Sequence, residues 1–143
     1  MEDSPEWGRE DCALADLADL VGIPFVEKGR DRSGADCYGV FKMAQERFGN
    51  NVPDVDVSAF APLRIDELMR EQLPLWEKLI DPAPGDAVAL AMEPEMPDLV
   101  QHYGVYVGEG KFIHTLSKTG SMIVPLAHPF WEKRLRGFYR WKK

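Results

Sequence analysis

The stretch QHYGVYVGEGKFIHTL, residues 101–116, decides how this chain folds. Two runs rich in β-branched and aromatic residues flank Gly108-Glu109-Gly110, which reads as a β-hairpin. Side chains alternate faces along a strand, so the loop length decides which of them share a face. A two-residue loop would put His102 and His114 on opposite faces. A three-residue loop, with Gly110 in the left-handed conformation, pairs Val107 with Lys111 and Gly104 with His114. The histidines are then diagonal neighbours on one face, with backbones roughly 7–8 Å apart. Two imidazoles bridge that gap, and Gly104 between them leaves room.

Working outward, a period of two holds from residue 84 to the end. Asp86–Met92, Val100–Gly108, Lys111–Leu116, Ser121–Leu126 and Leu135–Trp141 read as about five strands of an antiparallel sheet. Residues 93–99 form a Pro-containing loop free to border a site. Upstream the period is helical. Ser4-Pro5 reads as a helix start, followed by Leu14, Leu17, Leu20 and Val21 at helical spacing and a stop at Gly22-Ile23-Pro24. Pro53 and Pro62 break residues 52–63 into a connector, and a short helix is expected from Ile65 to about Gln72, before Pro74. Helices first and an antiparallel sheet after is an α+β pattern. At 143 residues the chain suits one domain, 1–143, with one core.

A helix from about Cys37 to Phe48, capped by Asp36, places Cys37, Phe41, Ala44 and Phe48 on one face. A thiol at a helix start, after a Gly-rich loop, meets unpaired N–H groups and the helix dipole, which favour a thiolate and could hold an oxyanion. Gly39 leaves space for a substrate. Cys37 also fits as the first apolar residue of the helix's inner stripe. With one thiol at a helix start and two histidines on one hairpin face, the residues suggest nucleophilic catalysis: Cys37 as nucleophile, facing His102 as base, with His114 orienting the base. A Cys–His–His metal site is the competing chemistry, but it lacks an evident fourth ligand. His128, in a Pro-flanked segment, is assigned no role.

Composition excludes several classes. Net charge is −7 and the pI about 4.9, which opposes nucleic-acid binding. The terminal cluster Lys133, Arg134, Arg136, Arg140, Lys142 and Lys143 reads as a solvated strand. No apolar run reaches the roughly 18 residues of a membrane span. Two cysteines, Cys12 and Cys37, make no disulfide scaffold, and neither metal nor cofactor is expected. The opening MEDSPEWGRED is acidic where a signal peptide is basic and then apolar, so no export signal is expected.

Three blocks in order, GIPFVEKGRDRSGADCYGVF, PAPGDAVAL and HYGVYVGEGKFIHT, resemble the NlpC-type cell-wall peptidase family, which has a papain-like fold. The resemblance runs from about residue 13 to 142. It implies Cys37 as nucleophile, His102 as base, His114 as third triad member, and an amide bond of a peptidoglycan stem peptide as substrate. Within the family, the form D-C-Y-G looks most like the phage tail-associated branch. That resemblance implies a protein made in the cytoplasm and delivered to the wall with a tail, with tail proteins as partners. Pro84-Gly85-Asp86 matches the family's P-G-D turn. Two positions depart from the usual pattern. Phe25 stands where many members have a substrate-touching tyrosine, and Tyr38 stands where many have serine. Asp36, Tyr38 and Phe25 are accordingly the expected substrate-binding residues. The alternatives are a tail-assembly protein with weak or no hydrolysis, and a papain-like acyltransferase or amidase acting on another substrate.

Overall fold

Short apolar runs separated by Gly and Pro turns build a six-stranded antiparallel sheet. A computed structural model of the chain describes residues 17–142. In chain order the strands are β1 (Arg30–Asp31), β2 (Gly34–Ala35), β3 (Trp76–Leu79), β4 (Ala87–Leu90), β5 (His102–Gly108), β6 (Lys111–Leu116), β7 (Gly120–Pro125) and β8 (Leu135–Trp141). β1 and β2 form a separate two-stranded ladder, and the main sheet runs β3-β8-β4-β5-β6-β7. The five expected strands are present. A sixth, β3, adds an edge through its pairing with β8, from Trp76↔Trp141 to Leu79↔Phe138.

Helix α1 spans Cys37–Arg47, as its apolar stripe predicts. The Asp36 carboxylate accepts the Gly39 N–H at 2.9 Å, and Gly49, with φ +83°, closes the helix. Helix α2 spans Pro62–Gln72, starting three residues earlier than expected. Pro62 opens this helix rather than breaking the chain, because its fixed φ and missing N–H suit the first helical turn. α3 is a single turn, Pro129–Glu132, capped by His128, whose Nδ1 accepts the Phe130 N–H. At the N-terminal end, Leu17 and Leu20 are fully buried around a 3-10 turn at Ala18–Leu20. The rest of the helix expected there, residues 4–16, and Cys12 lie outside the described residues.

The sheet has two distinct faces. Tyr103, Val105, Ile113, Ile123 and Tyr139 point to α1, packing with Val40, Phe41 and Ala44. Val88, Leu90, Phe112 and Val124 point the other way, where Trp131 covers them. His102 pairs directly with Leu90, and Phe112 with Val124. Directly paired residues share a face, and so do residues two apart on one strand. His102, and His114 two residues after Phe112, therefore lie on the Trp131 side.

The hairpin departs from the expected loop in an informative way. Gly108 pairs with Lys111, so the connection has two residues, Glu109 and Gly110. Both have positive φ, 56° and 74°, as a tight two-residue hairpin requires. Further along, Tyr106 pairs with Phe112 and Val105 with Ile113, leaving Val107 as an extra residue in β5. This bulge restores the register that a three-residue loop would give, and both histidines end up on one face.

Candidate active site

The two histidines meet. His102 Nε2 and His114 Nδ1 lie 3.0 Å apart, with the rings nearly perpendicular. Both are buried, and His114 Nε2 has no polar partner. Burial holds both imidazoles well below the ordinary histidine range, and the charge each would place on the other adds to this at His114. Both are therefore neutral at pH 7. Gly104 does sit between the strands here, but an imidazole is not what needs the space. A Cβ on Gly104 would come within 2.5 Å of the Phe112 ring and 2.8 Å of the Ile113 carbonyl oxygen.

Cys37 is placed differently. It opens α1 and lines a narrow cleft with Val57, Ala59, Ile65, Met69 and Tyr103. That cleft lies on the α1 side of β5. Tyr103 is the neighbour of His102 in the chain but faces the other way. Among the described residues no hydrogen bond joins the Cys37 thiol to either imidazole. His102 is the first residue of β5, next to Tyr103, which lines the Cys37 cleft.

The thiol's acidity departs from expectation. Burial pushes the Cys37 pKa up to about 12, and the Asp36 carboxylate adds to the rise. The Tyr38 and Cys37 N–H groups and Arg30 pull the other way and are outweighed. In a tight apolar cleft, loss of hydration costs a thiolate more than a helix start returns.

Asp36 and Tyr38 border this cleft, yet their polar atoms are engaged internally. Asp36 is buried. It accepts from the N–H groups of Gly39 and Lys28, both at 2.9 Å, and from an Arg30 guanidinium nitrogen at 2.7 Å. The Tyr38 hydroxyl donates to the Pro53 carbonyl, and Arg30 sits over its ring. In this arrangement both shape the loop before Cys37 rather than present free groups to a ligand. Phe25 is half-buried and meets the Phe60 ring at 5.7 Å, outside the core. Among the described residues no three His, Cys, Asp or Glu side chains cluster to hold a metal.

Residues that carry no functional signal in the sequence also shape the site. Trp131 contacts both imidazoles, and Tyr103 divides the Cys37 cleft from a wider one of about 210 Å³. The wider cleft is walled by Phe41, Met69, Trp76 and Tyr139, with Asp66 and Arg70 at its rim. The lone Trp131 had no periodic signal, because α3 is only one turn long.

A cysteine-headed helix packed on an antiparallel sheet that carries paired histidines is the architecture of the papain-like α+β class. Residues 22–140 match the NlpC/P60 family, and the chain belongs to that family. Over 119 residues it is 26% identical to MepS of Escherichia coli K12, a murein DD-endopeptidase and murein LD-carboxypeptidase. The alignment covers 82% of this chain and 55% of MepS, so the chain spans about half the length of that relative. A solved NlpC/P60 family protein from Bacillus cereus shares the fold, with a TM-score of 0.67 at 20% identity over 92% of this chain and 40% of that one. So does RipD of Mycobacterium tuberculosis, described as a non-catalytic NlpC/p60 domain adapted to peptidoglycan binding. Its TM-score is 0.58 at 17% identity over 92% of this chain and 95% of that one.

Proposed function

We propose that this chain is a cysteine peptidase that hydrolyses amide bonds in peptidoglycan stem peptides. Cys37 is the nucleophile, His102 the base and His114 the residue that orients His102. The observation that carries this reading is the 3.0 Å contact between His102 Nε2 and His114 Nδ1, which leaves His102 Nδ1 for the reaction. The family match over residues 22–140 supports the substrate class.

The pKa directions suit a mechanism that starts from a neutral pair. As the Cys37 sulfur bonds to the peptide carbonyl carbon, its proton passes to His102 Nδ1. The resulting imidazolium gives that proton to the leaving amine as the C–N bond breaks. Water then loses a proton to His102 and attacks the thioester, releasing the acid and the free thiol. Mass spectrometry of fragments released from peptidoglycan tests the proposal. Wild type should release muropeptides, and Cys37→Ala and His102→Ala should each lose about 10³-fold or more. Undiminished release by Cys37→Ala would remove the reading.

A non-hydrolytic wall-binding or tail-assembly role is the second reading. The raised thiol pKa favours it, and RipD, described as non-catalytic, shares the fold. It requires peptidoglycan sedimentation to be equal for wild type and Cys37→Ala, with no fragments released by either. A third reading, acyl transfer or amide hydrolysis on an apolar substrate, draws on the wide cleft beside Tyr103. It requires turnover of aliphatic amides or esters in preference to muropeptides.

We further propose delivery to the wall as part of a phage tail, with tail proteins as partners. The Asp36-Cys37-Tyr38-Gly39 sequence and the net charge of −7, which gives no attraction to an anionic wall, support it. Antibody against this chain should then label purified tails, and unlabelled tails would remove the idea.

A further inference from the structure

His114 presents a puzzle that the catalytic reading leaves open. Its Nδ1 is occupied by His102, while its Nε2 is buried with no polar partner. Two neutral imidazoles share one proton across their 3.0 Å contact, which allows two arrangements. In the first, His102 Nε2–H donates to His114 Nδ1. His114 then carries its own proton on Nε2, and His102 keeps a lone pair on Nδ1. In the second, His114 Nδ1–H donates to His102 Nε2. His114 Nε2 is then a buried lone pair, and His102 Nδ1 carries a proton. Only the first leaves His102 able to take a proton from a thiol.

The surroundings of the pair distinguish the two. The Trp131 ring lies 4.5 Å from the His114 ring centre at 74°, and nearly parallel to His102 at 6.5 Å. Phe112 lies 5.1 Å from His114 at 34°. Leu90 and Met122 are the cross-strand partners of the two histidines. None of these groups is charged. A perpendicular ring face is electron-rich: it accepts an N–H and repels a lone pair. Trp131 is itself buried and held by α3, with its backbone N–H donating to the His128 carbonyl at 2.9 Å.

We propose that Trp131 is a positioning residue that fixes the tautomer of the histidine pair. Its indole face receives the His114 Nε2–H, and this keeps the lone pair of His102 on Nδ1. The catalytic relevance rests on the function proposed above, but the tautomer does not. Trp131 thereby acts at the far end of the relay from the thiol, and α3 becomes part of the site.

Long-range ¹H–¹⁵N correlation of the imidazoles tests this on the substrate-free chain. Wild type should show His102 protonated on Nε2 and His114 on Nε2. Trp131→Phe, which keeps a ring, should largely preserve that pattern. Trp131→Leu, which fills space without a ring face, should shift the tautomer ratio by about threefold or more toward the other form. Wild-type His102 protonated on Nδ1 would overturn the proposal whatever the variants do. So would a Trp131→Leu chain with a native amide spectrum and an unchanged ratio. These spectra need no hydrolysis, so an inactive chain with the expected tautomers would refute the peptidase reading alone.

Discussion

His102 Nε2 lies 3.0 Å from His114 Nδ1 across a hairpin whose connection is only two residues long. In a regular ladder that connection would send the two side chains to opposite faces. Val107, the unpaired residue between Tyr106 and Gly108, shifts the register by one and brings them together. Val107 is fully buried, so the same side chain that disrupts the ladder anchors the core under α1.

Gly104 holds this arrangement open. A methyl group there would press on the Phe112 ring at 2.5 Å and on the Ile113 carbonyl oxygen at 2.8 Å. The carbonyl belongs to the ladder and gives little, so Phe112 must move, and it packs against His114. Gly104→Ala should cost about 1–3 kcal/mol and perturb both imidazole signals. Denaturant melts with imidazole NMR check this, and an unchanged midpoint would show that the strands have slack.

Acid should weaken the fold through the same pair. Both histidines have folded pKa values below their unfolded ones, so the unfolded chain binds protons that the native chain refuses. Above the unfolded value, near 6.5, the pair adds no pH dependence. Below it, stability should fall by on the order of 1 kcal/mol per pH unit for each group, until the folded pair itself protonates. Urea midpoints between pH 7 and pH 4.5 measure the slope, and His102→Gln with His114→Gln should flatten it. A slope unaffected by that double substitution would assign the acid sensitivity elsewhere.

Much of this was legible in the sequence, and the misses share a cause. Asp36 as cap, Cys37 as helix start and the paired histidines follow from local patterns and one register argument. β3 was missed because Trp76–Leu79 is a four-residue edge strand in which only Trp76 and Leu79 are half-buried. Pro62 reads as a breaker in the sequence because a proline just inside a helix and one that ends a segment look alike without the flanking dihedrals. The burial that raises the Cys37 pKa depends on Val57, Ala59, Ile65 and Met69 closing over the thiol. No local period encodes that closure. The Tyr38 hydroxyl bond to the Pro53 carbonyl has no local signal, because Pro53 is distant in sequence.

Arg140 tests the turn that starts β4. Its guanidinium grips the buried Asp86 carboxylate through two hydrogen bonds, at 2.9 and 2.8 Å, and the Ala83 N–H adds a third at 2.7 Å. Removing the arginine leaves a buried charge with one donor. Because Arg140 is itself half-exposed, Arg140→Ala should cost about 1–3 kcal/mol rather than the full penalty of a deep ion pair. Arg140→Lys should fall between, since an ammonium cannot reproduce the fork. Thermal melts of the three chains give the order, and lysine as disruptive as alanine would show that geometry outweighs charge.

Asp36 links the loop before α1 to the thiol. Its carboxylate caps the helix and pairs with Arg30, and its negative charge opposes ionisation of the adjacent Cys37. Asparagine at this position can still accept the Gly39 N–H, because asparagine is a strong cap. Asp36→Asn should therefore keep the helix while lowering the Cys37 pKa from about 12, since the like charge is gone and the burial is not. Iodoacetamide labelling of Cys37, followed by peptide mass spectrometry across pH 7–10, reads this out. The wild-type rate should be slow and still climbing at the top of that range, and the variant's should be higher at every pH. Asp36→Ala loses the cap as well and should destabilise the chain by about 2–4 kcal/mol. A wild-type labelling rate that levels off near neutral pH would mean the thiol is ionised in the resting site, and the neutral-pair mechanism would give way to a thiolate–imidazolium one.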